Sequence, residues 1–274
     1  VQDEVIHALY DYTTTHVIRA RNPTEAERIA IVATGGYGRG VMAPSSDTDL
    51  LFLRAYKASP HTESVIEYML YAMWDMGLKV GHAFRTPNEC VKLAAEDVTI
   101  KTSLLDARFI CGDEVLATDM FELFQKEAVK GKDALFIADK LAERDGRHAR
   151  HGDARYVVEP NLKEGKGGLR DLQTLYWITK HMYGGVTLED VMRNGPFTEH
   201  EYAVFIRAAK FLWTVRCHLH FVTGRPEERL GFDLQPEIAS RMGYRDRGEQ
   251  QGVERFMKRY FLIAKDVGGL TRIL

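Results

Sequence analysis

The chain has 274 residues, 45% hydrophobic and 28% charged, which excludes an intrinsically disordered protein and allows one large or two ordinary domains. Thirty-seven basic residues face 39 acidic ones, a formal charge of −2, and this balance argues against sequence-independent nucleic-acid binding, which needs a basic excess. No apolar run approaches the ~20 residues of a membrane-spanning helix.

In chain order, residues 4–20 place Val5, Ile6, Leu9 and Tyr12 on one helical face. A polar stretch, Arg21 to Arg28, leads into Ile29-Ala30-Ile31-Val32-Ala33, a short run that predicts a buried strand. The turn Gly35-Gly36-Tyr37-Gly38-Arg39-Gly40 follows, then the break Pro44-Ser45-Ser46 and a second strand from Asp49 to Leu53. Residues 62–77 carry Val65, Ile66, Met69, Leu70, Met73 and Trp74 at helical spacing, with Gly77 at the end. Leu78 to Arg85 suits a third strand, and after Pro87 the pattern is helical through Phe109.

From about residue 115 helices dominate, at 115–129, 134–146, 170–183, 199–222 and 251–267, with one short extended piece at 156–160. The expected fold class is therefore an α/β domain over residues 1–114 followed by an all-α helical domain over 115–274. Cys90, Cys111 and Cys217 are odd in number and form no zinc spacing, which points to reduced thiols in a cytoplasmic protein. The N-terminus lacks the basic flank and apolar core of a signal peptide. Neither end looks natural, so the expectation is a piece of a longer chain.

The chemistry is concentrated in Thr34 to Leu53. Glycines let backbone N–H groups approach a polyphosphate. Asp47 and Asp49 are two apart, so on a strand they project to one side. A pair of carboxylates suits Mg²⁺, which combines them with phosphate oxygens and water, and two-metal use is compatible with the same pair. The turn lacks the Gly-Lys-Ser/Thr ending of a P-loop, and a strand rather than a long helix follows it, against a dinucleotide fold. Either feature alone is common; strand, GGxGRG, spacer, SDxD and an apolar run together are not.

These residues resemble the nucleotidyltransferase superfamily that includes DNA polymerase β, and more closely the bacterial PII uridylyltransferase/uridylyl-removing (GlnD) family. The resemblance rests on GGYGRGVMAPSSDTDLLFL at 35–53, GLKVGHAFRTPNEC at 77–90 with LLDARFICGD at 104–113, and EPNLKEGKGGLRDLQTLYWI at 159–178. It implies a DNA polymerase β-like domain and transfer of UMP from UTP to a tyrosine of the PII signalling protein. Gly35 and Gly36 then match the nucleotide-binding turn, with Arg39 and Ser46 beside it, and Asp47 and Asp49 match the metal pair. Superfamily members usually carry a third carboxylate on a later strand; 79–85 offers none, and Asp106, in a segment that reads as helix, is the nearest candidate. The family's HD hydrolase and ACT sensor modules are not found here, and the sequence holds no His-Asp dipeptide. Uridylyl removal and glutamine sensing are accordingly not expected of this segment.

Two readings stay open. Nothing reads the base, so adenylyl transfer from ATP is a rival, as is a catalytically weak, nucleotide-gated module that docks PII. Arg39 suits a phosphate contact and an internal salt bridge equally. Lys163, Lys166 and Arg170 flank GKGG, either holding phosphate or an acidic patch of PII, or simply framing a tight turn whose Asp171 stabilises the next helix's positive end. His148, His151 and Asp153 read as a solvated linker rather than a metal cluster. His218 and His220 fall on different sides of a helix whose Phe211, Leu212, Trp213, Val215 and Leu219 read as core.

Overall fold

A computed structural model describes residues 1–20, 24–151 and 156–273. The chain divides into two compact units, one of Val1–Met42 with Ser46–Lys132, the other of Ala43–Ser45 with Asp133–Leu274.

The first unit is built on a four-stranded sheet. Its strands are β1 (Ile29–Ala33), β2 (Thr48–Arg54), β3 (Val80–Arg85) and β4 (Arg108–Gly112), in the order β3-β2-β1-β4. All five β1 residues are buried, as expected of a central strand covered on both faces. β1 runs antiparallel to β2, pairing Ile29 with Arg54 and Ala33 with Leu50, and antiparallel to β4 on its other side. β3 is parallel to β2 and needs a crossover, supplied by α3 (Pro60–Asp75). Ser59 and Thr62 cap α3 reciprocally, and Pro60 sits where its missing N–H costs nothing.

One sheet face presents Ile29, Ile31, Ala33, Leu50 and Phe52, which pack with Ile6 of α1 (Gln2–Tyr12) and with Val65, Ile66, Met69, Leu70 and Met73 of α3. Trp74, the last residue of the expected stripe, is instead 44% exposed and meets Tyr71 edge to face. Along the rest of this unit run the one-turn helix α2 (Gly35–Gly38), α4 (Pro87–Glu96), α5 (Val98–Leu105) and α6 (Glu114–Phe124). α6 packs on β1, β2 and α4.

Three differences from the sequence-based expectations stand out. The glycine turn is a short helix, because Gly38 and Arg39 donate their N–H groups back to Thr34 and Gly35. The helical pattern expected through Phe109 stops at Leu105, and residues 108–112 add an edge strand to β1. The compact units divide at 132/133, so the composition change expected near 115 lies within the first of them. α6 is helical, which is why composition assigned it to the second domain, but its buried Leu116, Ala117, Met120 and Phe124 belong to the sheet unit.

The second unit is helical: α7 (Asp133–Arg150), α8 (Leu169–Tyr183), α9 (Leu188–Asn194), α10 (Glu199–Thr223), α11 (Gln235–Arg241) and α12 (Gly252–Leu270). α8 is central, buried from Thr174 through Thr179 and packed by α7, α9, α10 and α12. The short helices α9 and α11 bury too few residues to create a periodic stripe. Residues 156–160 are irregular, and pairing begins at the isolated bridge Asn161–Arg229. Among the described residues no helix is long and apolar enough to cross a membrane.

Candidate active site

β1 and β2 are antiparallel neighbours, so the glycine helix that leaves β1 lies against the start of β2. Thr34, the residue before α2, donates its backbone N–H to the Asp49 carbonyl at 3.0 Å. Asp49, in β2, is half-buried, and its side chain occupies a space kept open by two glycines. A Cβ on Gly35 would lie 3.1 Å from Asp49 Oδ2, and one on Gly81 would lie 2.6 Å from Oδ1. Gly35 also has φ +55°, which a side chain would oppose. Gly81 is the β3 residue in register with Asp49. The space a side chain at 81 would fill is thus taken up by Asp49's own carboxylate.

The carboxylate faces a cleft of about 390 Å³ lined by Gly81, His82, Arg85, Thr99 and Ser103 among others. Asp47 precedes β2 by one residue and is exposed, while the intervening Thr48 is buried. This alternation is that of the strand itself, which supports the shared facing expected for the two acids. Ser46 is half-buried in the loop before them, and Gly36 is half-buried beside Gly35.

Arg39 and Asp106 are brought to each other rather than to the cleft. Asp106, 2% exposed, follows the end of α5 and forms an ion pair with Arg39. Its backbone also presses on α2, since a Cβ on Gly38 would meet the Asp106 carbonyl at 2.1 Å. On the other flank, Tyr37 is buried and donates to Asp3 at 2.6 Å, and Arg108 binds Asp3 at 2.7 Å. Burial first, and then the bond to Asp3, push the Tyr37 hydroxyl up. GGYGRG therefore has separable jobs: Gly35 faces the carboxylate, Tyr37 anchors the turn, and Arg39 ties it to Asp106.

The helical unit holds a polar centre that the sequence did not announce. Asp171, in the first turn of α8 as expected, is 2% exposed and accepts from Arg147 at 2.7 Å, His148 at 2.8 Å and the Gly167 N–H at 2.8 Å. Burial raises its pKa, but these three donors outweigh burial and hold it below the ordinary carboxylate value. His148 is consequently buried in α7 rather than part of a solvated linker; His151 is exposed, and Asp153 lies outside the described residues. The helix brings His148 under α8 because its spacing from Phe136 and Lys140 keeps it on the buried face. His220 is buried, as are Leu212, Val215 and Leu219, while His218 is half-buried. Burial first, then Arg216, lower the His220 pKa, and its Nδ1 accepts the Ser45 N–H at 3.3 Å.

The family model described as GlnD PII-uridylyltransferase matches residues 135–274. Relatives named bifunctional uridylyltransferase/uridylyl-removing enzyme cover the chain from end to end. The protein from Phenylobacterium zucineum is 66% identical over 273 residues, that from Caulobacter vibrioides 64% over 272, and that from a Bradyrhizobium species 56% over 274. The aligned segments cover 99–100% of this chain but only 29% of each relative's length. With half of the chain matched by the family model and all of it by these relatives, the chain belongs to the GlnD PII-uridylyltransferase family.

Proposed function

We propose that this segment transfers UMP from UTP to a tyrosine hydroxyl of PII, releasing pyrophosphate, on a sheet unit of the DNA polymerase β-like nucleotidyltransferase type. The observation that carries the reading is the Asp49 carboxylate seated between Gly35 and Gly81 at the edge of a cleft, with Asp47 two residues before it. Family membership and the relatives' names supply the uridylyl group, and the family's description supplies PII.

The donor set fits magnesium. Among the described residues no group of three or more His, Cys, Asp or Glu is placed to hold a metal, so there is no closed protein cage. Two carboxylates on a strand match an ion that takes most of its remaining ligands from phosphate and water. Asp47 and Asp49 would hold Mg²⁺, which when bound neutralises charge developing on the triphosphate. The rest falls to the chain's own residues. β2 fixes both acids on a rigid element, and Gly35 and Gly36 leave backbone N–H groups uncovered for phosphate oxygens. We assign Arg39 and Asp106 to positioning: their ion pair ties α2 to the end of α5, which supports Asp106 as a brace over a third metal ligand. Reduced thiols at Cys90, Cys111 and Cys217 suit a cytoplasmic setting.

Incubation with PII, UTP and Mg²⁺, followed by mass measurement of PII, tests the proposal directly, with ATP run in parallel as donor. Asp47→Asn/Asp49→Asn should fold and lose transfer by about 10³-fold or more; a double variant that still uridylylates PII would sink the reading. The glycine opposite Asp49 favours one rival, a weakly catalytic module that mainly binds PII. Tight PII binding with no turnover at saturating UTP and Mg²⁺ would establish that rival instead.

A further inference from the structure

The cleft beside Asp49 continues past the carboxylate into a stretch that the chemistry above leaves unused. Its lining residues, from Thr34 to Leu104, all belong to the sheet unit. Strand alternation divides β2 and β3 between two faces. Leu50, Phe52, Val80 and Phe84 pack into the core shared with α1 and α3. Asp49, Leu51, Gly81, Ala83 and Arg85 take the other face and line the cleft, with Asp49 in register with Gly81 and Leu51 with Ala83. Gly81 has no side chain and Ala83 only a methyl group, so the cleft is a trough over β3 with Asp49 at one end and Arg85 at the other. α5 supplies a further wall, where Thr99 with Ser103 and Ile100 with Leu104 are each four apart on one helical side.

Two polar side chains in this trough lack partners. The arginines at the ends of the neighbouring strands are matched: Arg28 with Asp113, Arg54 with Glu89 at 2.9 Å, and Arg108 with Asp3 at 2.7 Å. Arg85 is half-buried, and no carboxylate among the described residues comes within ion-pair distance of it; Glu89, the nearest acid in sequence, is held by Arg54. Ser103 is also half-buried. The hydroxyl of its neighbour Thr102 donates to the Val98 carbonyl, but that of Ser103 donates to no group among the described residues. Partly buried donors left without acceptors cost free energy that a ligand's oxygen atoms recover.

Position and chemistry together identify those oxygens. Asp49 Oδ2 lies against Gly35 of the glycine turn and Oδ1 against Gly81. A triphosphate taken by the turn leaves the β3 side for the nucleoside. Arg85 is four residues beyond Gly81, about 13 Å along the strand, toward the far end of a nucleotide whose phosphates sit at the carboxylates. A guanidinium offers five donors and no acceptor, so it matches a base whose edge carries carbonyl oxygens. Uracil presents O2 and O4, whereas adenine presents an amino group. Leu51, Ala83, Ile100 and Leu104 give the ring an apolar bed. An acceptor tyrosine fits less well, since its one hydroxyl is needed at the phosphorus and leaves nothing for Arg85. We infer that Arg85 and Ser103 bind the uracil base of the donor nucleotide in this trough and set the preference for UTP over ATP. The inference rests on the nucleotidyl-transfer reading and adds to it the residues that select the base.

The test uses the 274-residue chain. Binding of UTP and of ATP is measured by calorimetry with Mg²⁺ and without PII, beside steady-state transfer to PII. The wild-type chain should bind UTP tighter than ATP by about tenfold or more. Arg85→Met should weaken UTP binding by about 10–100-fold, the worth of one charge-assisted contact. ATP binding should stay within a few-fold, and KM for PII should not move. Ser103→Ala should weaken UTP binding by about 3–10-fold. If Arg85→Met does not fold by circular dichroism, Arg85→Lys decides instead: it keeps the charge, loses the forked donors, and should cost about tenfold for UTP. Equal binding of UTP and ATP by the wild-type chain, or unchanged UTP binding in the Arg85 variants, would overturn the base site. Equal weakening of both nucleotides would put Arg85 on the phosphates and overturn it as well. A raised KM for PII with unaltered nucleotide binding would give the trough to the acceptor. A wild-type chain that prefers UTP through Arg85 yet transfers nothing to PII would sink the transfer reading and leave the base site standing.

Discussion

Asp47, Asp49 and Asp106 are the three carboxylates proposed for the site, and burial separates them. Asp47 is exposed and Asp106 is 2% exposed with Arg39 against it. Losing a charge from a buried ion pair typically destabilises by about 3–5 kcal/mol, whereas an exposed carboxylate carries little stability. Asp106→Asn should therefore lower the urea midpoint clearly and reduce transfer along with it. Asp47→Asn should leave the midpoint unchanged and remove transfer alone. Asp171 gives a pH-resolved version of the same argument. Its folded pKa lies below the unfolded value of about 3.9, so its stabilisation is fully present above that value and is lost as pH falls through the lowered folded pKa. Asp171→Asn should cost about 3–5 kcal/mol in urea unfolding at pH 7, and the gap from wild type should narrow below about pH 4. The acid pair and the glycine turn were legible because both are local in sequence. Gly81 was not, since its role exists only through β3 register, and the Arg39–Asp106 pair joins residues 67 positions apart.

At the scale of elements, the strands with continuous apolar runs were the readable ones. β1 and β2 are buried almost throughout, and α3 shows an unbroken stripe from Val65 to Met73. β4 escaped because only Asp106 and Ala107 separate it from α5, with no Gly or Pro between, and Arg108-Phe109-Ile110-Cys111 extends a helical pattern as easily as a strand. α9 left a subtler trace, the reciprocal cap between Thr187 and Asp190, ahead of only two buried residues. α3 carries the crossover that makes β3 parallel to β2, so its packing fixes Gly81 opposite Asp49. Met69 of α3 is fully buried against the sheet. Met69→Ala should cost about 2–5 kcal/mol by thermal or urea unfolding, and transfer by the folded fraction should fall too if β3 shifts.

For the whole molecule, the composition change near residue 115 and the division into compact units at 132/133 are set by different things. The first records where strands stop, whereas the units are defined by packing, and α6 packs on the sheet. The family model begins at residue 135, close to the division at 132/133. Lys130-Gly131-Lys132 is an exposed turn at that division. Exposed turns are preferred sites of nicking, so brief trypsin treatment should yield new N-termini at Gly131 or Asp133, identified by mass, before cuts appear within β1, β2 or α8. Early cutting inside α6 instead would favour the boundary near 115.

The close fit of Gly81 to Asp49 has a consequence for how this site can change. Any side chain at 81 enters the volume now held by Asp49 Oδ1, so a substitution there acts first on the carboxylate. Even Gly81→Ala should swing the carboxylate aside, leaving a folded protein with transfer reduced by about a hundredfold. Position 81 is in that sense part of the site without contributing a functional group: its lack of a side chain sets where the Asp49 carboxylate rests.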